Sequence, residues 1–153
     1  MVSYTDTSAL SKRYIVETGS AWLKALVDPA TRNEVYTVIL TAVEITAAIT
    51  RRERGKGLTP QVAAQAHADF AADLNTDYQI VEITDTLISS AMRLAEKHGL
   101  RGYDAVQLAA GVETNRLYVT AGLPPILFVS ADTELNAAAR AEGLTIENPN
   151  DHP

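Results

Sequence analysis

Four acidic residues stand where a carboxylate is isolated or costly: Asp6 in YTDTSAL, Glu44 in LTAVEITAAI, Asp104 in RGYDAVQLAA and Asp132 in FVSADTELNAAA. Asp6, Asp104 and Asp132 each precede a segment with helical period, where a carboxylate accepts free backbone N–H groups and suits the helix dipole. A helix cap is therefore one reading of each. Asp6 has Thr7 and Ser8 beside it as candidate caps, so a cap does not require it. Glu44 has the weakest reading of this kind. Leu40, Ala47 and Ala48 share its helix face by i±3 and i±4 spacing, and no lysine or arginine lies within one turn. A carboxylate on such a face reaches solvent or takes a partner from elsewhere in the fold, and a cation is a natural one.

Gathered carboxylates repel one another, so a cation or a proton must settle such a site. The chain has no cysteine, and His67, His98 and His152 are scattered without ligand spacing. Hard oxygen ligands select Mg²⁺ or Mn²⁺ over zinc. A metal of that kind polarises a phosphoryl oxygen, activates a water, or clamps both ends of an in-line displacement.

The elements that must position these acids alternate between two apolar periods. VSYTD, EVYTVIL, YQIVEI, PILFVS and LTIENP read as strands. SALSKRYIVE, SAWLKALVD, TAVEITAAITRRER, the run from Pro60 to about Leu74, the run from Thr84 or Asp85 to His98, the run opening at Asp104, and DTELNAAARAEG read as helices. Thr59-Pro60 opens its helix as a cap followed by proline, and Gly99 and Gly143 close theirs. Strands alternating with helices predict one α/β domain over residues 1–150, an open parallel sheet flanked by helices. Asp6 and Asp132 then fall at the carboxyl ends of strands, where open α/β sheets form their ligand crevice.

Composition narrows the function. With 153 residues and 46% apolar content the chain can bury a real core. Thirteen basic against nineteen acidic residues leave a net charge of −6. A broad cationic face for nucleic acid is thereby excluded, so any polyanion must be gripped locally or through a metal. Absence of cysteine fits a reducing cytosol. MVSYTDTSAL has no basic region followed by an apolar stretch, so no signal peptide is expected, and the expected location is the cytoplasm. The uncharged run from Leu117 to Ala131 is broken by Gly122, Pro124 and Pro125, which predicts no membrane span.

Other residues have plainer readings beside sharper ones. Arg51, Arg52, Arg54 and Lys56 cluster at a helix C-terminus, where cations suit the dipole, but they follow Glu44 by two turns and can guide a phosphate. Arg101 stands three residues before Asp104, placed to touch a phosphate or pair with a site carboxylate. His98 reads as a helix C-terminal cap, and Asp69, Asp73 and Asp77 as a solvated face. Tyr14 and Trp22 on the first two helices read as core or interface, and together with Leu23 and Leu26 they offer more apolar surface than two short helices need, which predicts a partner chain there or at the site mouth.

YTDTSAL, TAVEITAAI, RGYDAVQLAA and FVSADTELNAAARAEGLTIENP, taken together in this order, resemble a PIN domain, in particular the VapC-type ribonuclease toxins of bacterial type II toxin–antitoxin pairs. The resemblance covers nearly the whole chain. It implies that Asp6, Glu44, Asp104 and Asp132 are the acidic quartet of a metal site, with the Ser8 and Ser130 hydroxyls near it. It implies Mg²⁺-dependent cleavage of single-stranded or structured RNA, with Mn²⁺ as a plausible substitute, a homodimer, and silencing by a small cognate antitoxin. Asp6, Asp104 and Asp132 would hold the metal directly or through water, and Glu44 would orient the attacking water or complete the shell. Two rivals remain: another metal-dependent phosphate hydrolase, weakened because aspartate-nucleophile phosphatases usually place a second aspartate where this chain has Ser8, and a PIN-like module that binds a partner or RNA without turnover.

Overall fold

A β-strand shows alternate side chains to opposite faces, and in this chain both faces of the inner strands are buried: apolar side chains on β2 and β4, and on the central β1 Tyr4 on one face and the small hydroxyl residues Ser3 and Thr5 on the other. Val35 and Val129 point to one side, Tyr4, Val38 and Phe128 to the other, so the sheet needs a helical layer on each face. The computed structural model describes residues 1–153 and shows that arrangement. Its strands are β1 (Val2–Thr5), β2 (Glu34–Val38), β3 (Tyr78–Val81), β4 (Leu127–Val129) and β5 (Thr145–Glu147). Its helices are α1 (Thr7–Leu10), α2 (Ser20–Leu26), α3 (Leu40–Arg54), α4 (Pro60–Thr76), α5 (Asp85–His98), α6 (Gly102–Thr120) and α7 (Thr133–Ala141). All pairings are parallel, and the order across the sheet is β3-β2-β1-β4-β5.

That order decides where chemistry can sit. The chain starts at the centre, steps outward to β3, then crosses back to lay β4 on the other side of β1. Ser3 pairs with Leu127 and Thr5 with Val129. Between β1 and β4 the winding reverses, and the crevice beyond their carboxyl ends is the expected ligand site. One apolar cluster, including Leu10, Leu23, Ile45, Ile49 and Phe70, packs α1 to α4 on one face of the sheet. The other, including Leu87, Leu108, Phe128 and Leu135, packs α5 to α7 on the opposite face.

Local signals set most boundaries. Thr59 caps α4 by accepting from Val62 N at 3.3 Å, with Pro60 in the first turn, and Thr84 caps α5 by accepting from Leu87 N at 3.1 Å. Gly111 has a structural reason on α6: a Cβ there would lie 2.6 Å from the Phe128 ring, so only glycine lets α6 come this close to β4. That approach also presents the first turn of α6 to the crevice.

Three expectations are corrected. SALSKRYIVE is not one helix: α1 lasts one turn and passes into a 3₁₀ turn over Ser11–Arg13. There the buried Lys12 folds onto the next loop, its Nζ 3.0 Å from Glu17 Oε1 and 3.0 Å from the Thr18 carbonyl. The helix predicted to open at Asp104 begins at Gly102, with Arg101 at its cap position and no side-chain cap. The surface predicted from Tyr14, Trp22, Leu23 and Leu26 is used within the chain. Tyr14, Leu23 and Leu26 are buried, and Trp22 is half-buried and stacked on the His152 ring at 4.5 Å.

Two smaller readings also change. His98 is no cap; its Nε2 lies 2.6 Å from Glu142 Oε1 on α7. Asp73 is no solvated acid, because its Oδ2 accepts from Arg13 Nε at 2.6 Å and from the Tyr14 hydroxyl at 2.8 Å.

Candidate active site

β1 ends at Thr5, and the next residue, Asp6, turns the chain into α1 as its N-cap. The Asp6 side chain is buried, and Oδ1 accepts from Ala9 N at 3.0 Å and from Ser8 Oγ at 2.9 Å. With its one proton given to Asp6, the Ser8 hydroxyl accepts from Ala131 N at 2.9 Å and from Ser130 Oγ at 3.3 Å. Ser130, at the end of β4, accepts in turn from Asp132 N at 3.1 Å. Asp132 caps α7 through Oδ1, which accepts from Leu135 N at 2.9 Å. The two serines therefore tie the strand ends of β1 and β4 together across the switch point and hold Asp6 and Asp132 beside it.

Glu44 faces this pair from α3. It is half-buried, and neutral donors hold it: Thr7 Oγ1 donates to Oε1 at 2.8 Å and Gln107 Nε2 lies 3.2 Å from the same oxygen. The partner demanded by its apolar face is thus partly supplied by hydrogen bonds. Asp104 is the third residue of α6 and half-buried, and neither a backbone nor a side-chain donor meets its carboxylate. The cap explanation of Asp104 therefore fails, whereas Asp6 and Asp132 are caps and cleft residues at once. The four acids line one cleft of about 410 Å³ with Thr7, Gln107, Tyr103 and Arg51. As placed, no three of their carboxylates are positioned to hold one ion among them directly.

The electrostatics follow from burial and mutual repulsion. Burial pushes the Asp6 carboxyl up to about 7, against the lowering effect of hydrogen bonds from Ser8 Oγ and Ala9 N. Burial also raises Asp104, followed by the negative charges of Asp132, Glu44 and Glu134, while Arg101 opposes them. Arg101 is exposed and acts on Asp104 through space, without an ion pair to it. The Tyr4 phenol beneath the cleft is raised by burial first, then by Asp6 and Glu44.

Gln107, Thr7, Thr41 and Tyr4 are site residues that sequence reasoning missed. Gln107 is 2% exposed; its Oε1 accepts from the Tyr4 hydroxyl at 2.7 Å, and its Nε2 lies 3.0 Å from both Thr7 Oγ1 and Thr41 Oγ1. A signal was present: Gln107 is i+3 from Asp104, and Thr41 is i−3 from Glu44, so each shares a helix face with an acid of the quartet. Gln107→Leu is expected to cost about 1–3 kcal/mol, because the buried Tyr4 hydroxyl loses its acceptor. Urea denaturation of the two proteins measures it, and equal midpoints and slopes would show that Tyr4 has another adequate partner.

The PIN domain family matches residues 3–141, a span that contains all four acids. Ribonuclease VapC45 of Mycobacterium tuberculosis (strain CDC 1551 / Oshkosh) is 32% identical over 143 residues, covering 94% of this chain and 92% of that protein. Ribonuclease VapC49 of the H37Rv strain matches to the same extent. The solved structure of VapBC2 from Rickettsia felis, bound to a DNA fragment from their promoter, superposes with a TM-score of 0.61 at 14% identity over 97% of this chain and 98% of that one. Mycobacterium tuberculosis VapC20, a sarcin-ricin loop cleaving toxin, superposes with a TM-score of 0.59 at 19% identity over 89% of this chain and 94% of that one. The two superpositions speak to the fold, and the sequence matches reach further: this chain belongs to the PIN domain family, as a member of the VapC type.

Proposed function

We propose that the protein is a Mg²⁺-dependent endoribonuclease that acts as the toxin of a type II toxin–antitoxin pair in the cytoplasm. The observation that carries this reading is the convergence of Asp6, Glu44, Asp104 and Asp132 on one cleft at the sheet's switch point, with Asp104 lacking any protein partner. The names of the sequence relatives support RNA as the substrate class.

The donor set is all oxygen, which fits Mg²⁺, with Mn²⁺ as a substitute. Mg²⁺ usually keeps several waters and takes only one or two carboxylates directly, consistent with acids that line a cleft without closing into a cage. Asp6, Asp104 and Asp132 would hold it directly or through water. When bound, the metal supplies charge compensation and Lewis-acid polarisation of a phosphoryl oxygen. The chain's own residues supply the positioning. Ser8 and Ser130 lock the relative placement of Asp6 and Asp132. Thr7 and Gln107 fix one oxygen of Glu44, leaving its carboxylate oriented to accept a proton from an attacking water. An antitoxin would silence the site by setting a basic side chain among the acids, satisfying their charge without metal.

The test is RNA cleavage by the purified chain in EDTA and after adding millimolar Mg²⁺ or Mn²⁺, with thermal melts under the same conditions. Cleavage should require the metal, and melting should rise, since a ligand at 100 times its Kd stabilises the folded state by about 2.7 kcal/mol. Unchanged melts together with no cleavage at saturating metal would leave a binding module in place of an enzyme.

A further inference from the structure

An acidic cleft repels a polyanion, so the proposed RNA substrate needs attractive surface beside it, and the chain concentrates such surface in one place. Of thirteen basic residues in a chain of net charge −6, four fall between positions 51 and 56. All four are exposed. Arg52 is spoken for, with Nη2 3.1 Å from Glu17 Oε2. Arg51, Arg54 and Lys56 form no ion pair.

We propose that Tyr103, Arg51, Arg54 and Lys56 form a track for an unpaired RNA strand running from the acidic cleft along the outer face of α3; this deepens, and rests on, the ribonuclease reading. The surface is continuous. Arg51 lines the acidic cleft and also a shallow groove on α3 beside Val43 and Ala47. Arg54 lines that groove and also a depression of about 700 Å³ that contains Lys56. Ala47, Arg51 and Arg54 are spaced i, i+4 and i+7, hence on one helix face. At 1.5 Å rise per residue, Arg51 stands about 10 Å and Arg54 about 15 Å along the axis from Glu44, so they reach successive phosphates beyond the one in the cleft.

Two further observations point to a nucleic acid strand. Tyr103 lines the cleft beside Asp104 and is 61% exposed, an aromatic ring offered to solvent. Stacking on such a ring is tolerant of base identity but needs the face of an unpaired base. Lys56 occupies the position after the α3 C-cap with φ of 59°, its N–H bonded to Glu53 O at 2.9 Å and that of Gly57 to Arg52 O at 2.8 Å. Helices favour glycine at that left-handed position, and here glycines stand on either side of it. A lysine held there in spite of its backbone preference places a cation at the end of the track. An acidic peptide would be repelled by the cleft where the track begins, whereas a phosphodiester that meets a metal there would not.

The experiment is fluorescence anisotropy of the full chain with a labelled unstructured 15-nucleotide RNA and with a duplex of equal length, over a range of salt, in millimolar Ca²⁺, whose larger and looser coordination offsets the cleft's charge while disfavouring the cleavage geometry of Mg²⁺. Arg51→Gln/Arg54→Gln/Lys56→Gln should weaken single-strand binding about tenfold or more and reduce the salt slope by about 2, the value for three contacts at roughly 0.7 each. Tyr103→Ala should weaken it roughly tenfold without changing the slope. Should the triple variant fold poorly, Lys56→Gly serves in its place: it relieves the backbone, so melting should be equal or higher while RNA binding weakens and the slope falls by roughly 0.7. No measurable single-strand binding by the wild type, equal preference for duplex, or variants that bind as the wild type does would overturn the track. Loss of a co-purifying protein by the triple variant with RNA binding intact would assign the ridge to a protein partner and overturn it too. The two readings fail separately. Wild-type cleavage in Mg²⁺ with variant-insensitive binding sinks the track alone, and track-dependent binding without cleavage in Mg²⁺ or Mn²⁺ sinks the ribonuclease reading alone.

Discussion

Asp104→Asn is expected to lower RNA cleavage by a factor on the order of 10² or more while leaving the fold intact, by analogy with the loss of one group that stabilises transition-state charge. Asn and Asp share a shape, so α6 and its approach to β4 through Gly111 are unaffected. No hydrogen bond to the protein is lost, because the Asp104 carboxylate makes none. Two opposing electrostatic effects remain. The first turn of α6 loses a favourable acid, worth about 0.3–1 kcal/mol. Repulsion from Asp132, Glu44 and Glu134, which together with burial holds the Asp104 carboxyl above its ordinary range, is relieved. The raised Asp104 carboxyl shows that repulsion and burial outweigh the favourable placement, so melting in metal-free buffer should stay equal or rise slightly. In contrast, a charged oxygen donor to the cation disappears outright. Single-turnover cleavage rates and melting curves for both proteins, with and without Mg²⁺, measure the two effects separately. Cleavage at the wild-type rate by the asparagine variant would remove Asp104 from the active site, and with it the proposed mechanism.

Asp6→Asn should raise the stability of the metal-free protein at pH 8 and leave it nearly unchanged at pH 4. The sign follows from linkage. The Asp6 carboxyl titrates near 7 in the folded chain, raised from 3.8, so between these values the folded state holds a proton that the unfolded state has released. Stability therefore falls as pH rises from about 4 to about 7, and above 7 the whole penalty of the buried charge is present. At about 1.36 kcal/mol per pKa unit this amounts to a few kcal/mol, large for a domain of this size. Asparagine can still accept from Ala9 N and Ser8 Oγ, so the cap of α1 survives. Denaturant melts from pH 4 to pH 8 in EDTA should diverge for the two proteins as pH rises. Saturating Mg²⁺ should then narrow the gap by stabilising the wild type, whose charged carboxylate gains a partner, while the variant stays inactive. Parallel pH profiles would mean that Asp6 is charged at low cost in the folded chain and that its burial is relieved by some other group.

The long elements were legible because their signals are local. A helix such as α4 announces itself by Thr59, Pro60 and a 3.6-residue apolar period, all within a few turns, and the structure changes only where it ends. α1 was misread because its apolar pattern continues past Leu10 while the buried Lys12 bonds to the loop at Glu17 and Thr18, and that loop is positioned by tertiary packing. Leu23 and Leu26 read as partner surface for a related reason, while Tyr14 takes the core place that was one of its two readings. Two short helices look overloaded with apolar surface until α3, α4 and the sheet close over them in one cluster.

The acids of the site were named from residue type and placement, since each stands at a helix start or on an apolar face whatever the fold. Their meeting is expected from strand-end placement and from the family resemblance, but its geometry is not local. It depends on β1 pairing with β4 across most of the chain, and no local period encodes such a partner. The same pairing brings Ser8 against Ser130, and the packing of α6 over the sheet brings Gln107 to Thr7, Thr41 and Glu44. What the sequence alone determined is an α/β chain carrying oxygen donors at strand ends and helix starts, because hydrogen bonding and apolar periodicity act over neighbouring residues. The tertiary structure alone decided that Asp6 is buried, that Asp104 is left without a partner, and in what geometry both face one cleft. Burial and charge repulsion act through space, between residues that only the closed sheet brings together.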